Sequence, residues 1–482
     1  MVHTPSSPSQ PASPPAPRSD RLSALLSGPI AWPLLKMAAP NTLGFLASSV
    51  VAMAEMWYAG QLGTATLASF AFAFPMAMLM QMLSSGSIGG VVAASVARSL
   101  GANDRDRALQ IVWHAIGFAC LASAFFTAVF LIFGEVIFTA FGASGDNLKE
   151  TMDYISVLFS GILLVWLFNT LSSLLRGAGD MRSPAVGMIL MATLQTFAGG
   201  ALSLGWFGIP SLGIRGIAFG TLIAFGFGCV FLGVRLLSGK SGITLSRHHM
   251  GWSRPLAVSI ARVAAVAALN PFLTVSSILL IARIVSNYGE TAIAGFGIGA
   301  RLEFILIPIV FGIGAAMISF VGANMGAGQV RRAERVGWTG GLIAAAICGT
   351  IGVTVALWPQ SWAGLFTTDP DVFRFTAEYQ AVVGPAYAFF GLGLSLYFAS
   401  QGAHTVIWPV VAGLARLFIA AGIGTYLAEY RGAEFQHILY LVALGLAVFG
   451  LGTALSLYLG AWRRSNQLPT PPNQPALQQK SG

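Results

Sequence analysis

The chain has 482 residues, of which 55% are hydrophobic and only 9% are charged. This composition excludes a water-soluble globular domain, which carries roughly 25% charged residues. The net charge of +9 would suit a nucleic-acid-binding protein only if the basic residues were gathered on one face, but here they are spread over short segments between apolar stretches. The sequence therefore predicts a chain whose main partner is the lipid bilayer and not nucleic acid.

Long apolar stretches predict the membrane-spanning helices in chain order. A helix needs about 20 mostly apolar residues to cross a bilayer, because its backbone polar groups must be satisfied within the helix. Six such stretches lie in the first half of the chain, at 37–59, 65–97, 109–133, 153–174, 184–206 and 213–236. Six more follow, at 258–282, 292–322, 337–357, 378–399, 407–428 and 436–461.

The same pattern divides the chain into five parts. Residues 1–32 are rich in proline and serine at the start and predict a disordered or interfacial cytoplasmic tail. The first six-helix lobe is placed at 33–237, a cytoplasmic linker at 238–256, the second lobe at 257–462, and a disordered cytoplasmic tail at 463–482.

The basic residues predict the orientation of the chain. Lys and Arg accumulate in cytoplasmic loops, and 19 of the 26 fall in one set of alternate segments. We therefore expect both termini in the cytoplasm and a multi-pass protein of the plasma membrane, which is the inner membrane if the source is bacterial.

An internal repeat organises the twelve stretches. Segments of the first half recur in the second half at a nearly constant offset: 62–68 at 288–294, 101–102 at 326–327, and 176–178 at 401–403. Six helices separate the copies, so both copies enter the membrane in the same direction. The prediction is an all-α polytopic membrane protein with twelve transmembrane helices in two parallel six-helix repeats around a central cavity, which rocking of the halves would open to each side in turn.

The order of these motifs resembles the multidrug and toxic compound extrusion (MATE) family. The residues that carry the resemblance are Glu55 with 59–63, Pro75, 101–102 and 176–180 with Pro184 in the first half, and Gly289, Pro308, 322–328 and 401–403 with Pro409 in the second. The resemblance implies two six-helix bundles in a V-shaped arrangement. It also implies export of organic cations or other amphipathic, drug-like compounds in exchange for protons or sodium.

The sequence departs from this family at its acidic positions. The usual Asp of the first helix is Glu55 here, and the acids that one branch carries in helices seven and ten fall at Thr274 and near Phe390. An Asn and Asp pair of another branch falls near Gln195 and Gly199. Since the usual sodium-coordinating acids are largely absent, protons are favoured over sodium.

Glu55 is the candidate ion-coupling residue. A charge at the bilayer centre costs roughly 2.5–3.5 kcal/mol, so a retained one normally faces a cavity or a partner. Its equivalent in the repeat is the apolar Ile281, so the fold does not demand an acid there. The alternative is a carboxylate that reaches the outer surface. Tyr58, Gln195 and Thr196 are candidate neutral neighbours.

Glu303 and Arg301 form a second group of charges within a predicted helix. They are two residues apart and point about 200° apart, so a direct pair is not expected. We expect them either to form structural ion pairs with other neighbours, such as Arg283, or to line a substrate cavity. Arg416 is a weaker candidate of the same kind, and His404 is expected to be a plain loop residue.

Other functional classes fit less well. No nucleophile and base pair, metal-ligand cluster or phosphate loop is present, so the sequence predicts no enzyme, no cofactor and no metal site. A channel would need rings of polar residues. The main alternative is a flippase for lipid-linked precursors, which usually has a basic cavity and further helices. We expect a monomer, and the sequence does not identify the exported compounds.

Overall fold

The computed structural model describes residues 20–245 and 249–466; of the tails predicted at 1–32 and 463–482, residues 1–19 and 467–482 lie outside this part, as does Arg247. Every regular element of the described residues is a helix. Ten helices of this part are long and apolar enough to cross a membrane, or twelve if each of two bent pairs is one span. The predicted all-α, twelve-span architecture is confirmed.

The first half begins with a short helix and continues with six spans. Its elements are α1 (Asp20–Leu26), α2 (Ala31–Leu62), α3 (Thr64–Gln81), a first π-helical segment (Met82–Ile88), α4 (Gly89–Gly101), α5 (Arg105–Ala140), α6 (Gly145–Ser160), α7 (Ile162–Gly177), α8 (Arg182–Leu204) and α9 (Ile214–Leu237). The span from α3 to α4 is continuous through the π-helical segment, and α6 and α7 form a span bent by 50°.

The second half repeats this plan. Its elements are α10 (Arg254–Ser286), α11 (Glu290–Ala300), α12 (Glu303–Gly326), α13 (Val330–Leu357), α14 (Gln360–Ala363), α15 (Pro370–Val383), α16 (Tyr387–Gly402), α17 (Ile407–Leu417), a second π-helical segment (Phe418–Ile423), α18 (Gly424–Tyr430), α19 (Phe435–Tyr458) and α20 (Ala461–Asn466). Here α15 and α16 form the bent pair, at 58°.

The helix starts confirm the repeat. The helices α5, α6, α7 and α8 begin at positions 105, 145, 162 and 182, and α13, α15, α16 and α17 begin at positions 330, 370, 387 and 407. The offset is identical in all four pairs, and it equals the offset between the motifs at 101–102 and 326–327. The bent pairs are thus equivalent elements of the two halves. Since six spans separate equivalent helices, the two halves run through the bundle in the same direction.

The two halves pack backbone against backbone at one end of the bundle. This end carries the turns at 102–104, 178–181, 327–329 and 403–406, and we call it the basic-turn end. A Cβ atom on Gly101 would collide with the carbonyl of Ala323, and one on Gly326 would collide with that of Arg98. Only glycine allows backbones to approach so closely, so these two positions hold α4 of the first half against α12 of the second.

Helix α1 also packs at the basic-turn end. Leu25 and Leu26 are buried in the same apolar cluster as Phe320 of α12. The Asn324 side chain donates to the Leu25 carbonyl at 3.0 Å, and Arg332 donates to the carbonyls of residues 27 and 28 at 3.0 Å each. The sequence predicted a disordered or interfacial tail at 1–32. Within it, residues Asp20–Leu26 form a helix, and Leu25 and Leu26 pack in one apolar cluster with residues of α12.

Candidate functional site

A cavity of about 250 Å³ lies between the two halves, and we call it the central cavity. Its walls are mainly apolar, with Phe45, Met78, Met82 and Met191 from the first half and Phe304, Ile307, Pro308 and Phe311 from the second. Among its described lining residues only Glu55 carries a charge. Aromatic rings and thioethers adapt to many shapes, so these walls suit apolar parts of varied small molecules.

Glu55 lies in the wall of the central cavity and is only 8% exposed. Its Oε1 accepts a hydrogen bond from the Gln195 side-chain amide at 2.8 Å and one from the Thr221 hydroxyl at 3.0 Å. Both partners are neutral, and no described basic side chain forms an ion pair with Glu55. A carboxylate in this setting is expensive without a proton or a cation, so the group is suited to exchanging one.

The structure brings together only some of the residues predicted around Glu55. Gln195 of α8 contacts it directly, whereas the Tyr58 hydroxyl donates to the backbone carbonyl of Thr196 at 2.8 Å. The Thr196 hydroxyl bonds within its own helix. The hydrogen bond between Tyr58 and Thr196 therefore joins α2 to α8, and neither side chain donates a hydrogen bond to the carboxyl group of Glu55.

Thr221 is the neighbour that sequence reasoning missed. It lies on α9, and its side chain is 7% exposed. A buried threonine in an otherwise apolar helix was the available signal. This signal is weak because threonines in membrane helices often bond only to their own backbone, as Thr221 also does with the Ile217 carbonyl at 3.1 Å.

A smaller cavity of about 30 Å³, which we call the side pocket, is lined mostly by the second half and on one side by the first. Glu303, at the start of α12, and Arg416, at the end of α17, line it together with Asn270 and Thr274. Phe390 also lines it. The two positions that the family resemblance matched to acids in helices seven and ten therefore face this pocket, but its charges come from other helices.

Arg301 lies apart from Glu303, as their spacing predicted. Its guanidinium is placed over the ring of Phe366 at 5.7 Å from the centroid, and the residue is exposed. Of the two predicted charges, only Glu303 lines a described cavity.

Hydrogen bonds between the halves reinforce the basic-turn end. The Gln401 side chain donates to the Gly86 carbonyl at 2.9 Å, and Arg98 donates to the Ala403 carbonyl at 3.1 Å. His404 lies 3.4 Å from the Ser95 hydroxyl. Burial lowers the pKa of His404 to about 3, and the positive charges of Arg98 and Arg107 act in the same direction. His404 is therefore a neutral part of this contact and more than a plain loop residue.

The fold and the cavity define a class: a helical membrane protein of two repeated halves with a small-molecule cavity between them. The family model MatE matches residues 40–199 and again residues 267–427, with one copy in each half. The chain therefore belongs to the MATE family, whose members are transporters and not enzymes.

Individual relatives agree with this assignment. A protein of Shewanella oneidensis named "FAD transporter" is 27% identical over 436 residues, covering 89% of this chain and 95% of the relative. The "Probable multidrug resistance protein NorM" of Thermotoga maritima is 24% identical, covering 78% and 81%.

Solved structures share the fold. One, described as the outward-facing conformation of a multidrug resistance MATE family transporter, aligns with a TM-score of 0.83 at 20% identity over 93% of this chain and 98% of that one. A transporter of the MOP superfamily from Pyrococcus furiosus aligns with a TM-score of 0.85 at 19% identity, covering 94% and 100%. At these identities the likeness concerns the fold alone.

Proposed function

We propose that this transporter exports amphipathic, drug-like organic cations in exchange for protons, and that Glu55 carries the coupling proton. The observation that carries the proposal is the position of Glu55, which is the one charged group in the described lining of the central cavity. A cationic substrate and a proton would compete for the same carboxyl group. Competition of this kind links the inward movement of protons to the outward movement of substrate.

The neighbours of Glu55 favour a proton over sodium. The Gln195 side chain turns an amide N–H donor toward the carboxylate, whereas a metal cation needs oxygen lone pairs pointed at it.

The proposed mechanism is alternating access between the lobes at 33–237 and 257–462. We place both termini and the basic-turn end in the cytoplasm of the plasma membrane, on the distribution of Lys and Arg. With that orientation the tight packing of α4 on α12 closes the inner side. The bundle is taken to work as a monomer, since the cavity is formed within one chain.

A second candidate function is export of a flavin nucleotide. It is supported by the relative named "FAD transporter", which aligns with 89% of this chain. The same vesicles distinguish the two candidates when they are loaded with FAD or with a cationic dye.

The test is efflux from proteoliposomes under separate pH and sodium gradients. Dye efflux should follow the pH gradient, persist without sodium, and be lost in Glu55→Gln, while Glu55→Asp keeps part of the activity. Glu135→Gln is the matched control, because Glu135 is exposed on α5 and lies outside both cavities. Efflux driven by sodium with no dependence on pH, or full activity in Glu55→Gln, would reject the proposal.

A further inference from the structure

The side pocket contains two opposite charges that do not pair directly. Among the described residues, neither Glu303 nor Arg416 has a side-chain hydrogen-bond partner, and they form no close ion pair with each other or with another residue. The guanidinium of Arg416 lies over the ring of Phe449, 6.0 Å from its centroid, which is its one cation–π contact among the described residues. Each charge lies in the field of the other, but neither carries a side-chain hydrogen bond in the described part of the chain. The N–H donors of Arg416 are therefore available to a ligand in the pocket.

The backbone around the pocket is irregular on two sides. Met82, Gly86 and Ser87 belong to the first π-helical segment, and Arg416 lies two residues before the second. π-Helical turns are rare and occur frequently at functional sites. One such segment lines this small pocket and another begins two residues after Arg416, which supports a role in binding over simple packing.

The side pocket adjoins the central cavity. Met82, Ile307 and Phe311 line both spaces. A molecule that occupied the two together would have its apolar body among these side chains. Its two ends would face Glu55 in the first half and Arg416 in the second.

We propose that the side pocket binds the acidic group, a carboxylate or a phosphate, of an amphipathic substrate whose body lies in the central cavity. The proposal rests on the proposed function only in taking the central cavity as the export site. The planar guanidinium of Arg416 presents several N–H donors that match the oxygens of either anion. The side chain of Asn270 lines the same pocket and adds an amide donor.

Glu303 has the opposite effect in this arrangement. Glu303 and Arg416 line one pocket. The carboxylate of Glu303 therefore repels an incoming anion and partly neutralises the positive charge of Arg416 that would attract it. The two residues should therefore change anion binding in opposite directions when each is neutralised. A purely structural role for the pair would weaken binding of every ligand in both variants.

The experiment measures equilibrium binding of matched ligands to the purified full-length protein by calorimetry. One pair is a fluoroquinolone carboxylic acid and its methyl ester, and the other is riboflavin 5′-phosphate and riboflavin, so that carboxylate and phosphate are tested separately. Wild type should bind at least one acid about tenfold more tightly than the matched ligand that lacks the acidic group, a difference of about 1.4 kcal/mol. Arg416→Gln should abolish this preference, and Arg416→Lys should keep part of it.

The control variants make the result specific. Glu303→Gln should strengthen binding of the acid severalfold and leave the ester or riboflavin unchanged. Arg374→Gln should change nothing, because Arg374 is exposed and outside both cavities. If Arg416→Gln does not fold, the opposite sign expected for Glu303→Gln still decides.

Three results would overturn the proposal: no preference of wild type for either acid, equal weakening of the acid and of the matched ligand without the acidic group in Arg416→Gln, or weaker acid binding in Glu303→Gln. Binding at equilibrium needs no ion gradient. A failure of proton coupling through Glu55 would therefore leave this test unaffected, and the two proposals fail separately.

Discussion

Gly101→Ala should shift the transporter away from the closed arrangement of its basic-turn end. The added methyl group would collide with the carbonyl of Ala323 on the other half. Inserting one methyl group into tight packing costs about 1–3 kcal/mol. Since the contact exists only while the two halves are together at this end, the cost falls on the closed state. A change of about 1–3 kcal/mol alters the ratio of two conformations about 5–150-fold.

The population change can be measured as a distance. Spin labels on cysteines introduced at Ala102 and Gln329, both exposed at the basic-turn end, report the separation of the two halves there. The native Cys120, Cys229 and Cys348 are first replaced by alanine. In lipid nanodiscs Gly101→Ala should add a longer-distance population that is minor or missing in the parent protein.

The matched control is Gly233→Ala in α9. A Cβ atom there would meet no atom within 4 Å, and the substitution gains up to about 1 kcal/mol of helix propensity in this helix interior. An unchanged distance distribution in folded Gly101→Ala, or the same change in both variants, would refute the reasoning that backbone contact holds this end closed.

Three further predictions concern other parts of the molecule. Glu303→Gln should reduce efflux of a cationic dye less than Glu55→Gln, and equal, complete loss in vesicles at normal expression would reverse that ranking. A cysteine at Arg105 should be protected from an impermeant reagent in intact cells; labelling there would contradict the proposed topology. His404→Gln should lessen the fall in melting temperature between about pH 6.5 and pH 4, measured in detergent. The pKa of His404 is depressed to about 3, so its stabilising effect is present above the ordinary pKa of about 6.5 and is lost as the pH falls. Parallel melting curves would count against this.

Glu55 could be identified as a candidate from the sequence because it is a carboxylate within a long apolar stretch. A carboxylate inside an apolar stretch is expensive anywhere in a bilayer, so its presence signals a special role without knowledge of its neighbours. Hydrophobic length and the internal repeat determined the architecture in the same way. Both follow from the thickness of the bilayer and the order of the chain, which do not depend on packing details.

The partners of the charged residues were decided only by the tertiary structure. Glu55 and Thr221 are 166 residues apart in the chain but 3.0 Å apart between their side-chain oxygens, and no periodicity within α9 singles out that threonine. Arg416 and Glu303 likewise lie on different helices of the second half, 113 residues apart in the chain, yet they line one pocket. A sequence pattern specifies which face of a helix is polar. The rotation and tilt that bring two such faces together depend on close packing between helices, which only the folded chain contains.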